Sequence, residues 1–127
     1  MHYRLVGHAE SRIDQVVMDS ARQFGLDAAV RYNKLILTAL TVVGTTPHVA
    51  GSKTVPRVPG LRVFPLRLAN RFVAPPDRVG RPRHLIVYRV IPDGIVEVLS
   101  LAHDRMDLTR AAQQARRAAL AYGQGDQ

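Results

Sequence analysis

The chain has 127 residues, no cysteine and a formal net charge of +8. This length suits one domain with its own core, and the absence of cysteine excludes a disulfide scaffold, a thiolate metal site and a cysteine nucleophile. No apolar run reaches the roughly 18–20 residues that a membrane span needs, and the opening stretch MHYRLVGHAE lacks the apolar core of a signal peptide, so we expect a cytoplasmic protein.

The positive charge is concentrated in residues 53–89. This segment carries nine cations against one carboxylate, a net charge equal to that of the whole chain, while the remainder balances nine cations against nine carboxylates. Eight of the nine cations are Arg, whose planar guanidinium pairs with carboxylate or phosphate. The functional interpretation is an acidic partner, either a nucleic acid or an acidic protein segment. The alternative is a merely solvated surface.

The N-terminal third is predicted to form a short strand and a helical hairpin. Residues 2–6 alternate as a strand, and Gly7 ends it. Helical periodicity predicts an amphipathic helix over residues 9–24, followed by Gly25 as its C′ residue. Asp27 is predicted to cap a second, antiparallel helix over residues 28–43. The predicted buried positions are Ala9, Ile13, Val16, Val17, Ser20, Ala21 and Phe24 on the first helix, and Tyr32, Leu35, Ile36, Ala39, Leu40 and Val43 on the second. Val30 and Leu37 lie beyond that second stripe, so burial on more than one side is expected.

The middle of the chain is poor in periodic structure. Residues 48–60 are predicted to be a loop, and residues 61–68 a strand in which Pro65 argues for an edge position or a bulge. Residues 70–82 form a basic loop rich in proline and glycine, which we expect to be functional or mobile.

A β-hairpin is the strongest local prediction. Residues 85–91 and 95–101 are strand-like runs joined by Pro-Asp-Gly, a turn with a physical basis. In the second run, the alternation places Leu99 and Leu101 on one side with Glu97, and Val96 and Val98 on the other. Neither side is cleanly polar, so the hairpin is expected to lie centrally with both faces covered.

The hairpin leads directly into the last helix. His103 and Arg105 stand at the strand end, Asp104 is predicted to cap the helix, and Asp107 to lie in its first turn. The helix is predicted over residues 107–122, with an alanine-rich stripe that includes Tyr122, and residues 123–127 as a flexible tail. The element order is therefore β-α-α-β-β-β-α. It describes one α+β domain over residues 1–122, in which a helical hairpin packs on a mostly antiparallel sheet.

Several stretches resemble a known toxin family. These are FGLDAAVRY, GLRVF and the RHLIVYRV–PDG–IVEVL hairpin with the following HDRMDL. Together they resemble the RelE/ParE superfamily of bacterial type II toxin–antitoxin systems, and HDRMDL resembles the ParE branch in particular. The resemblance covers residues 3–110. It implies the same element order and a cognate antitoxin as partner. We expect no cofactor, and no His, Asp or Glu spacing indicates a metal site.

The superfamily divides by activity. The resemblance implies either cleavage of ribosome-bound mRNA by a set of basic residues and a late Tyr, as in RelE-like members, or action on DNA gyrase without nuclease activity, as in ParE-like members. Arg62 and Arg105 fall on basic positions of the RelE pattern. Three positions depart from the RelE pattern. Phe64 stands where a second basic residue is expected, and Leu85 stands where an Arg is expected, unless Arg83 substitutes for it. Ala111 stands near the position of the late Tyr.

The ParE-like interpretation therefore predicts a toxin that acts by binding, with DNA gyrase as target, rather than by catalysis. The alternative is a metal-free endoribonuclease acting on ribosome-bound mRNA, and a third possibility is a degenerate toxin that retains only antitoxin binding. The nuclease candidates are Arg62, Arg83, His84, Tyr88, His103 and Arg105. The partner-binding candidates are Arg62, Arg67, Arg71, Arg81, Arg83 and Arg105.

Structural roles are the alternative for three of these candidates. His103 fits a hydrogen-bonded residue at a strand end, and Tyr88 fits a core position in an apolar strand. Arg105 is placed to pair with a nearby carboxylate.

Overall fold

A five-stranded sheet carries a helical hairpin on one face and a single helix on the other. The computed structural model describes residues 3–125. Its elements are β1 (Tyr3–Leu5), α1 (Ala9–Phe24), α2 (Leu26–Thr45), β2 (Lys53–Thr54), β3 (Leu61–Pro65), 3-10 helices at Leu66–Phe72 and Pro75–Asp77, β4 (His84–Val90), β5 (Val96–His103) and α3 (Leu108–Gly125). The predicted α+β class and helical hairpin are confirmed. The strand β2 is an addition, because two residues are too few for a periodic signal.

The sheet has the strand order β1-β5-β4-β3-β2. β1 pairs in parallel with β5, and the other pairs are antiparallel, so the mostly antiparallel sheet is confirmed. β2 covers β3 only at Arg62 and Val63, so Pro65 lies at a locally open edge, where its missing N–H costs no ladder bond. The strand ends there, short of residue 68, because Leu66 and Ala69 turn inward at the three-residue spacing of a 3-10 helix.

The β4–β5 hairpin is confirmed, with one correction to its faces. The turn closes through Gly94, which has φ +83° and donates its N–H to the carbonyl of Ile91 at 2.8 Å. The register then shifts between Val87 and Tyr88. The extra residue of this bulge reverses the alternation, so Leu101 packs with the helical-hairpin core and Leu99 with the α3 core. The prediction that these two leucines share a face was wrong.

The two cores differ in the size of the side chains that fill them. The core under α1 and α2 contains large side chains such as Tyr88, Phe64 and Leu35. The core under α3 is completed by small ones, the predicted stripe of Ala111, Ala112, Ala115 and Ala119. Each alanine removes little apolar area from water, so α3 is held by less hydrophobic energy per turn than α2.

The structure corrects the predicted caps and the predicted burial of the helices. α2 begins at Leu26, so Asp27 lies inside its first turn, and no side chain caps the helix. Phe24 is 68% exposed instead of buried, and Val30 and Leu37 are also exposed, so α2 is buried on one side only. At α3 the cap is Asp107, whose Oδ1 accepts the N–H of Arg110 at 3.2 Å.

Asp104 does not cap α3 because its backbone continues the sheet. Its N–H donates to the carbonyl of Arg83 at 2.7 Å, and the helix cap lies three residues later, at Asp107. α3 then runs to Gly125, into the segment predicted as a tail. Residues 1, 2, 126 and 127 lie outside the described residues, and these include the predicted strand position His2. The side chain of Tyr122, predicted to lie on the stripe of α3, is also outside the described part of the chain. The tail itself stays a prediction.

Candidate functional site

A cleft of about 630 Å³ opens at one end of the sheet, between α1, α2 and the ends of β4 and β5. The C-terminal half of α1 forms one wall of the cleft, and residues around the two strand ends form the other. Its lining residues are Arg12, Val16, Asp19, Ser20, Gln23, Phe24, Tyr32, Arg81, Arg83, His84, His103 and Arg105.

The hairpin register brings two histidines together in this cleft. His84 begins β4 and pairs with His103, the last residue of β5. Their rings meet edge to face, with centroids 5.2 Å apart. Arg83 precedes the first histidine and Arg105 follows the second by two residues, so all four candidates predicted near the strand ends converge.

Tyr32 of α2 fixes the protonation of His84. The Tyr32 hydroxyl lies 2.6 Å from Nδ1 of His84 and accepts the backbone N–H of Arg83 at 3.2 Å. Because the amide can only donate, the phenolic proton is directed to Nδ1, and the imidazole hydrogen resides on Nε2. Burial, with added repulsion from His103 and Arg12, lowers the pKa of His84 to about 4. Burial raises the pKa of Tyr32. Near neutral pH, His84 is an uncharged donor through Nε2.

His103 is held through its own Nδ1. That atom accepts the backbone N–H of Arg105 at 3.1 Å and lies 3.1 Å from Oδ1 of Asp104. Only the amide contact is a hydrogen bond while the ring is neutral, and it leaves the hydrogen on Nε2. The interpretation of His103 as a hydrogen-bonded residue at the strand end therefore fits the structure.

The charge lining the cleft is strongly positive. Four arginines face one carboxylate, that of Asp19. The Arg12 Nε donates to the carbonyl of Leu101 at 3.1 Å, and Arg83 forms a long ion pair of 3.7 Å with Asp104. The guanidinium groups of Arg81 and Arg105 have no hydrogen-bond or ion-pair partner among the described residues. Of the acid partners proposed for Arg105 from the sequence, none is paired with it.

The two other nuclease candidates, Arg62 and Tyr88, lie elsewhere. They pair with each other across β3 and β4. Tyr88 is fully buried and donates its hydroxyl to the carbonyl of Pro47, which confirms its core role. Arg62 donates to the Ser52 hydroxyl at 2.7 Å. Both side chains support the loop after α2. Tyr88 lies four positions after His84 on β4, which corresponds to about 13 Å along the strand.

A family model described as ParE toxin of type II toxin-antitoxin system, parDE, matches residues 3–108. The chain belongs to this ParE toxin family. The match ends on the last residue of HDRMDL, the stretch that resembled the ParE branch. The protein is therefore the toxin component of a type II toxin–antitoxin pair, and family membership implies an antitoxin partner. None of the curated proteins matches the chain significantly.

The remaining partner-binding candidates of this ParE toxin are dispersed. Arg67 lines a separate cleft of about 290 Å³ between β3 and the start of α3. Arg71 lies on the 3-10 helix, with its guanidinium 4.7 Å from the ring centre of the adjacent Phe72. Arg81, Arg83 and Arg105 share the large cleft. The six predicted residues thus occupy four places, because Arg62 supports the loop after α2.

Sequence reasoning missed the contribution of the helical hairpin to this site. Tyr32 and Phe24 were assigned to apolar stripes, and Arg12 and Asp19 lie off the predicted stripe of α1. Local periodicity could not have found them, because the packing of the helical hairpin on the sheet brings these side chains to the strand ends. Among residues 3–125, no group of three or more His, Asp or Glu residues could hold a metal ion. Over the same residues, no helix is both long and apolar enough to span a membrane.

Proposed function

We propose that this ParE toxin acts in the bacterial cytoplasm by binding DNA gyrase, and that a cognate antitoxin neutralises it. The observation that supports binding over cleavage is the separation of the nuclease candidates into two groups. Arg62 and Tyr88 support a loop, about 13 Å along β4 from the paired histidines.

The chemistry of the cleft also favours binding. Cleavage of a phosphodiester without a metal needs a general base, a general acid and cations on the developing charge. The pKa of His84 lies at about 4, and its Nδ1 is occupied by Tyr32. His84 is therefore a neutral imidazole near pH 7 and carries no acidic imidazolium proton to give as a general acid. Phe64 and Leu85 supply no charge at the positions where the RelE pattern has basic residues.

The exposed arginines are the proposed contacts to acidic partners. Arg81, Arg83 and Arg105 line the cleft. Arg67 and Arg71 lie outside the cleft, and both belong to the basic segment of residues 53–89. Guanidinium groups pair bidentately with carboxylates, which suits an antitoxin segment with acidic side chains.

A second candidate, the mRNA endoribonuclease, is favoured by one observation. Arg83, His84, His103 and Arg105 line a single cleft, as residues of a phosphodiester-cleaving site would. In that case a substrate phosphate would have to raise the pKa of one histidine for it to act as the acid.

Two assays on the purified toxin separate these functions. We expect inhibition of gyrase supercoiling, relieved by the cognate antitoxin, and no cleavage of ribosome-bound mRNA. The Arg81→Ala and Arg105→Ala variants should weaken the inhibition. The matched control is Arg117→Gln, which removes an exposed charge on α3, away from the cleft. Codon-dependent mRNA cleavage by the wild type, lost in Arg105→Ala, would establish the nuclease instead.

A further inference from the structure

The two sides of the large cleft differ in chemistry. The last turns of α1 bring Asp19, Ser20, Gln23 and Phe24 to one side. Phe24 is 68% exposed, although it ends the apolar face of its helix. A second hollow of about 390 Å³ shares Ser20, Phe24, Tyr32 and Arg81 with the first, so the groove continues past Phe24. An exposed aromatic ring therefore stands between two connected hollows.

The strand-end side of the cleft is a set of hydrogen-bond donors. The guanidinium groups of Arg81 and Arg105 are free of partners within the described part of the chain. His84 and His103 both have Nδ1 engaged, so each offers Nε2–H. A phosphate group has three acceptor oxygens and up to two negative charges, and it satisfies several converging donors better than one carboxylate does.

The α1 side does not favour a purely acidic ligand. The Asp19 carboxylate repels other carboxylates, but it accepts hydrogen bonds from hydroxyl or N–H groups. Ser20 and Gln23 both donate and accept, and the exposed Phe24 ring offers a face on which a base can stack. The fitting ligand is anionic at one end, and flat with polar edges at the other. The cleft volume of about 630 Å³ lies within the usual range of small-molecule sites.

We propose that this cleft binds a nucleoside phosphate, with the phosphate on Arg81, Arg83 and Arg105 and the base against Phe24. The site is a binding site, with no reaction assigned to it, and it does not depend on gyrase being the target. The nucleoside phosphate has two sources, a free mononucleotide or the 5′-phosphorylated end of a nucleic-acid strand. An acidic peptide is the competing occupant.

Calorimetric titration of the purified toxin tests the ligand class. The ligands are adenosine and guanosine 5′-monophosphate, adenosine, inorganic phosphate, a 5′-phosphorylated hexanucleotide and hexaglutamate. We expect the monophosphates to bind at least about tenfold more tightly than phosphate or adenosine alone, because both ends of the ligand contribute. Tighter binding of the hexanucleotide would identify the strand end as the source, and equal binding the mononucleotide. Equal affinity for inorganic phosphate, equal affinity for hexaglutamate, or no binding at millimolar concentration would overturn the proposal.

Variants at exposed positions locate the site without disturbing the core. Arg81→Gln and Arg105→Gln should each weaken monophosphate binding by about tenfold or more. Phe24→Ala should weaken it by about fivefold or more, while leaving affinity for inorganic phosphate unchanged. Arg117→Gln is the control of equal charge change. In the wild type, the imidazole NMR signals of His84 and His103 should shift on binding. An equal loss in Arg117→Gln, or unmoved histidine signals, would place the ligand elsewhere.

Discussion

The neutral, half-buried state of His84 makes stability depend on pH in a defined window. The pKa of His84 falls from 6.5 in an unfolded chain to about 4 in the folded protein. Above pH 6.5 the ring is neutral in both states and has no effect on the free energy of unfolding. As pH falls from 6.5 towards 4, the unfolded chain takes up the proton first, and stability is lost. Below about 4 the loss is complete.

The size of this loss follows from the pKa difference. Each pKa unit corresponds to about 1.36 kcal/mol, so the ceiling over the whole window is about 3.4 kcal/mol. The ring is only partly buried, and solvent screening reduces this ceiling. Between pH 7.5 and 4.5 we expect a loss of about 2 kcal/mol attributable to His84, equivalent to a melting temperature lower by roughly 8 °C for a chain of this size.

The test compares the wild type with His84→Gln, which cannot titrate but keeps a polar group near Tyr32. Urea unfolding at pH 7.5 and 4.5 gives the free energy of unfolding of each. The groups around the ring, namely His103, Asp104, Asp19 and Arg12, stay in both proteins, so their titration is largely removed in the difference. The wild type should lose about 2 kcal/mol more than the variant. Equal losses in the two proteins would refute the buried neutral state of His84.

Three further predictions concern the core, the loop and the partner. Leu99→Asp places an unpaired charge at a position that is 1% exposed, so no soluble folded protein should form, and unchanged thermal unfolding would contradict this burial. Asn70→Ala removes both side-chain bonds to the Val79 backbone; hydrogen exchange across residues 70–79 should accelerate in the variant, and equal exchange in both proteins would show that these bonds do not brace the loop. Association with the cognate antitoxin should slow as salt rises, because exposed charges steer the encounter, and a salt-independent rate would exclude steering.

The Asn70 bonds belong to a set of contacts in this loop that composition does not reveal. Proline and glycine over residues 70–82 indicated mobility in the free protein. In the structure, the segment is held by the Asn70 side chain, an Arg78 bond to the carbonyl of Val73 at 2.9 Å, and an ion pair between Lys34 and Asp77 at 2.8 Å. Lys34, the cation of that ion pair, lies on α2, and no local pattern within residues 70–82 reveals this contact. Mobility itself stays a prediction for the exchange experiment.

Local patterns sufficed where one periodicity or one turn decides the structure. The bounds of α1 and the Pro-Asp-Gly hairpin are examples, because their determinants lie within a few residues of each other. The bulge at the β4–β5 register was not visible, since a single extra residue changes no composition. The cap of α3 was misassigned because Asp104 and Asp107 are equally suitable by type, and the backbone bond from Asp104 to Arg83 decides between them.

The same distinction applies to the site. The hairpin brings His84 and His103 to the same end of the sheet, because antiparallel pairing around one turn places the start of β4 beside the end of β5. Their direct pairing depends on the bulge, without which His84 would be opposite Ala102. Tyr32 could not be placed in this way, because 52 residues separate it from His84, and its position depends on how the helical hairpin lies on the sheet. A sequence reader therefore sees the strand-end half of the cleft and misses the α1 half.

The structure also refines what the net charge means. Four of the nine cations in residues 53–89 have hydrogen-bond or ion-pair partners within the described chain, namely Arg62, Arg78, Arg83 and Arg89. Only the last two pair with a carboxylate, and the other two bond to neutral oxygens and keep their charge. Most of the positive field therefore survives folding, which supports long-range attraction of acidic partners. Short-range recognition is a separate matter, because it depends on the few guanidinium groups that share the large cleft. Attraction thus draws on the whole basic segment, whereas recognition depends on Arg81 and Arg83 of that segment together with Arg12 and Arg105 outside it.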